Sequence, residues 1–347
     1  MADAVRLGLV GCGKAGQKYL QALVHLTEAE LVATYDPDYE AARRAAMAFD
    51  APAFEDLSVM LRQMDIDGVV VAAPSHTHRQ LVDVIVAQGV SALVEQPLTL
   101  TYEDALAMHR AAKRGGVVIS SAHPLRLLPS VRQVAAAVRG HRLGTIIQAT
   151  AQVVCSRTQS FYDEMLWRQD PASSGGLTFS EAISVLDVLV DLLGVPEEVF
   201  AVANHRLSTR AIEDAFSASL VFASGALATL SATTAAMKAH MEERIALVGT
   251  QGSATIGPTL AGVEAWRIED DDEQALRRKM AELPPRTSWQ SNWDALHDFV
   301  EALREGTDPF LTVEQSLNTI ACAEAVVRSM NQGRVVAISE IMGTEAG

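Results

Sequence analysis

The chain has 347 residues, 49% of them apolar, and a formal charge of −15 from 43 acidic and 28 basic side chains. That length accommodates two domains on a prior of ~100–200 residues each, and the composition is that of a globular protein with full cores. The acidic balance without a basic run argues against a nucleic-acid partner. The opening residues lack the pattern of a signal peptide and no segment approaches the ~18 apolar residues of a membrane span, so a cytoplasmic protein without membrane partners is expected.

Residues 1–121 alternate short apolar runs with helix-length amphipathic segments. Strands are predicted at Val5–Val10, Leu31–Tyr35, Gly68–Ala73, Ala92–Glu95 and Val117–Ser121. Helices are predicted at Ala15–Leu26, Tyr39–Phe49, His78–Gln88 and Tyr102–Arg114. Nearly all-apolar strands are buried on both faces, and their alternation with helices implies βαβ crossovers in a doubly wound parallel sheet of the Rossmann type.

From about residue 145 the rhythm changes. Ile146–Val154, Val199–His205, Ser217–Phe222, Ala226–Ala232, Ile245–Val248 and Val263–Ile268 read as strands of an open, mainly antiparallel sheet. An apolar helix near Leu177–Leu193 and two late helices near Trp293–Arg304 and Val313–Met330 complete this half as an α+β domain. The expected division is therefore a dinucleotide-binding domain at 1–121 and a substrate-binding and oligomerisation domain at 122–347. One sheet face would need covering, which predicts a homo-oligomer, dimer or tetramer, through that sheet. The acidic run Glu269–Glu273 reads as a solvated turn.

Gly11, Cys12, Gly13, Lys14, Ala15 and Gly16 form a G-x-G-x-x-G loop directly after the first strand and open the first helix. The first glycine permits the tight turn, the second lets backbone approach a pyrophosphate, and the third allows close helix–strand packing. Asp36 lies twenty residues beyond Gly16 at the end of the next strand. A carboxylate there accepts hydrogen bonds from adenosine ribose hydroxyls and repels a 2′-phosphate, which favours NAD. Arg43 and Arg44 leave NADP possible. Lys14 and Cys12 could contact the cofactor, although a solvated lysine and a packed cysteine are the ordinary readings. The three cysteines, Cys12, Cys155 and Cys322, are too far apart for a disulfide framework or a Cys-x-x-Cys pair, and no clustered histidines and carboxylates suggest a metal.

With that loop, Asp36, Ala73-Pro74-Ser75-His76-Thr77-His78 and Glu95-Gln96-Pro97 in order, the chain resembles the Gfo/Idh/MocA oxidoreductases. His123-Pro-Leu-Arg126-Leu-Leu-Pro129 and Trp167-Arg168 followed by Ser174-Gly175-Gly176 extend the resemblance into the second half. The resemblance implies a nicotinamide at the carboxyl ends of the parallel strands, lined by Pro74, Ser75, His78, Glu95, Gln96 and Pro97. It implies an NAD(P)-dependent oxidoreductase acting on a sugar-like, cyclic polyol or other small carbonyl or alcohol substrate.

Two family signatures are broken. The usual Glu-Lys-Pro is Glu95-Gln96-Pro97, and the usual Asp-x-Gly-x-His-x-x-Asp falls on Ser180-Glu181-Ala182-Ile183-Ser184-Val185-Leu186-Asp187. Gln96 and Ser184 thus stand where the family has its catalytic Lys and His, and neither side chain exchanges protons near neutrality. General acid–base assistance typically contributes ~10²–10⁴-fold, so another group must substitute if the chain is an ordinary dehydrogenase. Candidates are His123, Tyr162, Arg168, Glu181 and Asp187, with His123 preferred because a neutral imidazole accepts a proton near pH 7. Arg168 could hold a carboxylate or form a structural ion pair. Glu181 should point away from a hydroxyl-lined face made by Ser180 and Ser184, and Asp187 could instead be buried support. Two other readings remain: a non-catalytic dinucleotide-binding sensor, and a non-redox lyase or isomerase that uses NAD transiently.

Overall fold

The computed structural model describes residues 4–206, 211–238, 241–283 and 289–343. The chain forms two compact units, Met1–Pro124 with Arg286–Leu317, and Leu125–Pro285 with Asn318–Gly347.

The first unit contains strands β1 (Val5–Val10), β2 (Ala29–Tyr35), β3 (Ala53–Phe54), β4 (Gly68–Val71), β5 (Ser91–Glu95) and β6 (Ile119–Ala122). They build a parallel sheet in the order β3-β2-β1-β4-β5-β6. The runs Gly68-Val-Val-Val71 and Ser91-Ala-Leu-Val94 are buried throughout, as expected of strands covered on both faces. The order reverses between β1 and β4. In an open α/β sheet that switch point creates a crevice beyond the carboxyl ends of the strands.

One late element was assigned to the wrong half. The helix Gln290–Glu305, expected near Trp293–Arg304, belongs to the first unit, where it packs against the glycine-loop helix Lys14–Leu23. Its buried stripe of Ala295, Leu296, Phe299, Val300 and Ala302 has the i, i+3/i+4 spacing of an amphipathic helix. That pattern shows that a face is covered without naming its partner. Phe299 and Leu303 close on Gly68, where an added Cβ would lie 2.9 Å from both side chains. The small residue at the start of β4 therefore makes room for this return of the chain.

The second unit contains β7 (Ile146–Cys155), β8 (Pro196–Asn204), β9 (Ala215–Phe222), β10 (Leu227–Thr233), β11 (Met241–Gly249), β12 (Gly252–Ile256), β13 (Val263–Ile268) and β14 (Val336–Ala337). The sheet order is β13-β12-β11-β7-β10-β9-β8-β14, antiparallel except for the β7/β10 pair. Alternation along β9 and β10 puts Phe216, Ala218, Leu220, Ala228, Leu230 and Ala232 on the buried face. The helix Ile183–Leu193 packs on β7 and β11. The opposite face exposes Phe200, Val202, Leu227 and Val248.

The predicted helix Leu177–Leu193 is not continuous α-helix. Thr178–Ala182 forms a π turn, and the α-helix begins at Ile183. A π turn bonds i to i+5, so residues four apart no longer stack. Ser180 is consequently exposed, Ser184 half-buried and Asp187 fully buried, and the expected common hydroxyl face is not formed. Within the acidic run, Asp271 pairs with Arg142 and accepts a hydrogen bond from Trp266 Nε1, while Asp272 caps the helix Glu273–Ala281. These two acids act as specific braces within an otherwise solvated segment.

Candidate functional site

In the first unit the predicted cofactor residues gather at the carboxyl edge of the sheet. Gly11 has φ +91, and an added Cβ there would lie 2.7 Å from the Ala72 backbone. At Gly16 an added Cβ would collide with the Gly11 carbonyl oxygen. The loop thus closes against β4 on one side and against its own helix on the other. Gly13 faces open space and is the N-cap of Lys14–Leu23, whose first turn carries no side-chain cap and no acidic residue. The positive end of the helix dipole is left for an anion, the arrangement that suits a pyrophosphate.

Asp36 does more than its sequence position suggested. Its Oδ2 accepts a hydrogen bond from Cys12 N at 2.8 Å and its Oδ1 accepts one from Asp38 N at 2.9 Å. A carboxylate has about four acceptor sites, so two ribose hydroxyls can still be accommodated. Asp36 therefore ties the end of β2 to the glycine loop while keeping acceptor capacity. The buried Cys12 thiol turns toward Tyr35 O, and burial followed by the Asp36 charge pushes its pKa up to about 12. It is a packing residue. Arg43 pairs with Glu40 on its own helix, and Arg44 lies 3.8 Å from Asp38. Both arginines have carboxylate partners nearby, which weakens the case for a 2′-phosphate.

His78 is fully buried, with Nδ1 3.1 and 3.2 Å from the Pro97 and Leu98 oxygens and Nε2 2.8 Å from Ala73 O. Burial lowers its pKa, against the pull of the three carbonyls. Expected as a cofactor contact, it instead joins the loop after β4 to the Gln96-Pro97 loop. Pro74 and Ser75 remain half-buried at the edge of the crevice. Glu95 Oε1 accepts from Gln96 N at 3.0 Å and Oε2 from Asn292 Nδ2 at 3.3 Å, while the buried Tyr19 phenol adjoins the same carboxylate. Enclosure raises the Glu95 pKa, with the neighbouring Tyr19 phenol and the Gln96 hydrogen bond opposing it. Glu95 thereby fixes the backbone beside Gln96. Sequence reasoning missed Tyr19 and Asn292, because their meeting depends on the return of a helix from almost two hundred residues later.

His123 follows β6, and the register Glu95↔Ala122 sets it near Gln96 at the same sheet edge. Its ring is buried, however, and both ring nitrogens are enclosed. An imidazole in that state is poorly placed to exchange a proton with a substrate, contrary to the preference it received from sequence.

In the second unit two further catalytic candidates are committed to structural pairs. Asp187 receives Arg126 Nε at 2.6 Å, Arg126 Nη2 at 2.7 Å and Thr319 Oγ1 at 2.7 Å. Arg168 donates to Phe161 O at 2.7 Å, lies 3.5 Å from Glu164 and stacks on the Phe161 ring. Glu181 lies buried in the π turn, where Arg157 holds it bidentately at 2.8 and 2.7 Å. Among the described residues no cluster of three or more His, Cys, Asp or Glu could hold a metal ion, and no helix is long and apolar enough to cross a membrane.

The arrangement is a dinucleotide cradle at the switch point of a parallel sheet, followed by an α/β unit. Residues 5–123 match the model of the oxidoreductase family with NAD-binding Rossmann fold, and residues 135–338 match that of its C-terminal alpha/beta domain. The chain belongs to the Gfo/Idh/MocA oxidoreductase family. It is 27% identical to D-apiose dehydrogenase of Paraburkholderia graminis over 96% of this chain and 89% of that one. It is 25% identical to 2,7-anhydro-N-acetylneuraminate hydratase of Mediterraneibacter gnavus over 98% of both chains. Among solved structures, the WlbA dehydrogenase of Bordetella pertussis in complex with NADH and UDP-GlcNAcA has a TM-score of 0.90 at 26% identity, covering 97% of this chain and 98% of that one. The chain is an NAD-binding oxidoreductase of this family, and the sensor reading gives way.

Proposed function

We propose that this protein is an NAD-dependent dehydrogenase or reductase of a polyhydroxylated sugar or cyclitol. The observation that carries the reading is the intact cradle, with Gly13 open at an uncapped helix N-terminus and Asp36 braced beside it. Bound NAD would supply the hydride acceptor, and Gly11–Gly16 and Asp36 would hold its pyrophosphate and ribose. Pro74, Ser75, Gln96 and Pro97 would border the nicotinamide end. Asp36, together with the pairing of Arg43 and Arg44, favours NAD over NADP. The sugar class is supported by the relatives, whose names specify apiose and an anhydro-sialic acid.

Calorimetric titration of cofactor-free protein with NAD and then NADP tests the cradle. Micromolar NAD binding with weaker NADP binding is expected, and no heat with either would overturn the reading. A screen of aldoses, anhydrosugars and cyclitols with NAD should then give net NADH. Conversion without net NADH would favour the lyase or isomerase reading that the hydratase relative keeps in view.

The second unit is proposed to bind substrate and to pair with another copy of the chain through its uncovered sheet face. Phe200, Val202, Leu227 and Val248 make an apolar surface there that a second copy would shield from water.

A further inference from the structure

His78 is the first residue of the helix His78–Ala87 and is fully buried. Main-chain oxygens bound its ring on both sides. Ala73 O stands 2.8 Å from Nε2, and Pro97 O and Leu98 O stand 3.1 and 3.2 Å from Nδ1. All three are hydrogen-bond distances. A carbonyl only accepts, and a neutral imidazole carries one N–H. Whichever nitrogen holds that proton, the other turns its lone pair toward carbonyl lone pairs. Both sides are satisfied together only by the doubly protonated ring, which donates from each nitrogen.

The two sides belong to different loops of the first unit. Ala73, Pro74 and Ser75 follow β4, whereas Gln96, Pro97 and Leu98 follow β5. β4 and β5 are neighbours in the sheet, so both loops leave the same carboxyl edge. The first loop is stiff, because Thr77 N and Thr77 Oγ1 both donate to Pro74 O, at 2.9 and 2.7 Å. The second is anchored at its entry, where Gln96 N donates to Glu95 Oε1. Beyond that point the ring of His78 is what meets the Pro97 and Leu98 oxygens.

We propose that His78 is a positioning residue whose second proton clamps the Gln96–Leu98 loop to the Ala73–Ser75 loop and so shapes the nicotinamide end of the cradle. The proposal rests on the dehydrogenase reading, which sets Pro74, Ser75, Gln96 and Pro97 at that end. With one proton the ring keeps Nε2–H on Ala73 O, the shorter contact and the stiffer loop, and Nδ1 releases the other loop. A second proton, taken from solvent, gives Nδ1 an N–H shared between Pro97 O and Leu98 O, and the loop is held. A loop already held loses less freedom when the dinucleotide binds.

Opposing influences set when that proton is taken. Burial acts most strongly against the charge, the three carbonyls favour it, and His76 in the turn Ser75–Thr77 opposes it. The positive end of the helix dipole at His78 adds to the opposition. Charged groups on the other packed elements are placed elsewhere. Arg79 pairs with Asp83 and lies 3.6 Å from Asp104 on the helix Tyr102–Gly115, and Arg62 is in the last turn of the helix Leu57–Gln63. Glu95 of β5 accepts from Gln96 and Asn292. Among the described residues the ring has main-chain hydrogen-bond partners alone. The second proton therefore enters below the ordinary histidine range, and the clamp closes as pH falls and opens toward neutrality.

¹⁵N-histidine NMR of the full chain from about pH 8 to about pH 5 reads the protons directly. Contacts to labelled proline, and loss of the signal in His78→Gln, identify the ring. One N–H, on Nε2, is expected near the upper limit and an N–H on both nitrogens at the acid end. Calorimetry supplies the second arm. NADH should bind ~3- to 10-fold tighter at the acid end, the contribution of about one hydrogen bond, whereas ADP-ribose, which has no nicotinamide, should show no such gain. By reciprocity NADH should shift the His78 titration upward by the same factor in proton affinity. His78→Gln takes no second proton and should lose the gain. If that variant does not fold, the wild-type titration and its shift with NADH decide. A ring that stays singly protonated throughout overturns the proposal, as does a gain shared by ADP-ribose. NADH binding without pH dependence removes the His78 assignment and leaves the dehydrogenase reading intact. Absence of binding by both ligands at every pH defeats that reading instead, and the clamp with it.

Discussion

Arg126 and Asp187 meet in a bidentate ion pair at 2.6 and 2.7 Å with both side chains almost wholly buried. Burial works against the Arg126 charge, but the Asp187 carboxylate overcomes that penalty and holds the guanidinium above its ordinary pKa. Asp191 and Thr319 complete the network, so the last acid of the broken family signature is a structural anchor in this chain. Removing one partner strands the other without compensation. Asp187→Ala should cost about 3–5 kcal/mol in chemical denaturation, whereas Arg126→Met combined with Asp187→Leu should cost much less. Equal losses in the single and double variants would contradict this account.

Glu243 makes the stability of the second unit depend on pH in a defined direction. Its folded pKa is raised from 4.5 to about 7, so the folded chain binds the extra proton between those values. The destabilisation is absent below about pH 4.5, grows as pH rises and is complete above about pH 7, with a magnitude on the order of 3 kcal/mol. Glu243→Gln removes this dependence. Thermal unfolding should show the variant gaining on the wild type from pH 5 to pH 8, and parallel curves would count against a protonated Glu243.

Asp36 serves both the loop and the cofactor, and different variants separate those tasks. Asp36→Asn keeps an acceptor for Cys12 N but loses the charge that would meet the ribose hydroxyls and repel a 2′-phosphate. Hydrogen bonds to charged groups contribute ~1.5–3 kcal/mol, so NAD affinity should fall about 10- to 100-fold and the preference over NADP should shrink. Calorimetry with both dinucleotides measures this directly.

Gly16→Ala should be more severe for binding than its single methyl suggests. The new Cβ would strike the Gly11 carbonyl and push the loop away from the helix end. NAD affinity should drop by at least ~10-fold, and the unfolding temperature should fall as well. Retained affinity would show that the loop has another way to close.

Charges placed on the uncovered sheet face test the proposed self-association. Val202→Glu with Leu227→Glu should yield a monomer by analytical ultracentrifugation at micromolar concentration while NAD binding persists. A monomeric wild type would remove the basis for this prediction.

The N-terminal half was legible because its information is local. Apolar runs buried on both faces, the three spaced glycines and Asp36 at the end of the next strand require only neighbouring residues to be recognised, and Val5–Val10, Ala29–Tyr35, Gly68–Val71 and Ser91–Glu95 fall where strands were predicted within a few residues, whereas the two-residue strand Ala53–Phe54 was not predicted. The absence of a titrating side chain at Gln96 and Ser184 was equally visible, since it is a matter of chemical identity. The burial of Glu243 was within reach. The Ile245–Val248 strand extends back to Met241, and the inward parity of Ile245 and Leu247 already marks position 243.

Other features depended on distant parts of the chain. Gln290–Glu305 advertises an apolar stripe, but periodicity does not say that the stripe covers the first unit or that Asn292 will reach Glu95. The π turn at Thr178–Ala182 alters which side chains share a face, although the composition there reads as ordinary helix. Local sequence determined the cofactor cradle and the loss of the usual proton carriers. Tertiary structure decided that Asp187 is spent on Arg126 and that Glu243 is enclosed beside Glu181, because burial and pairing are properties of residues that meet only in the folded chain.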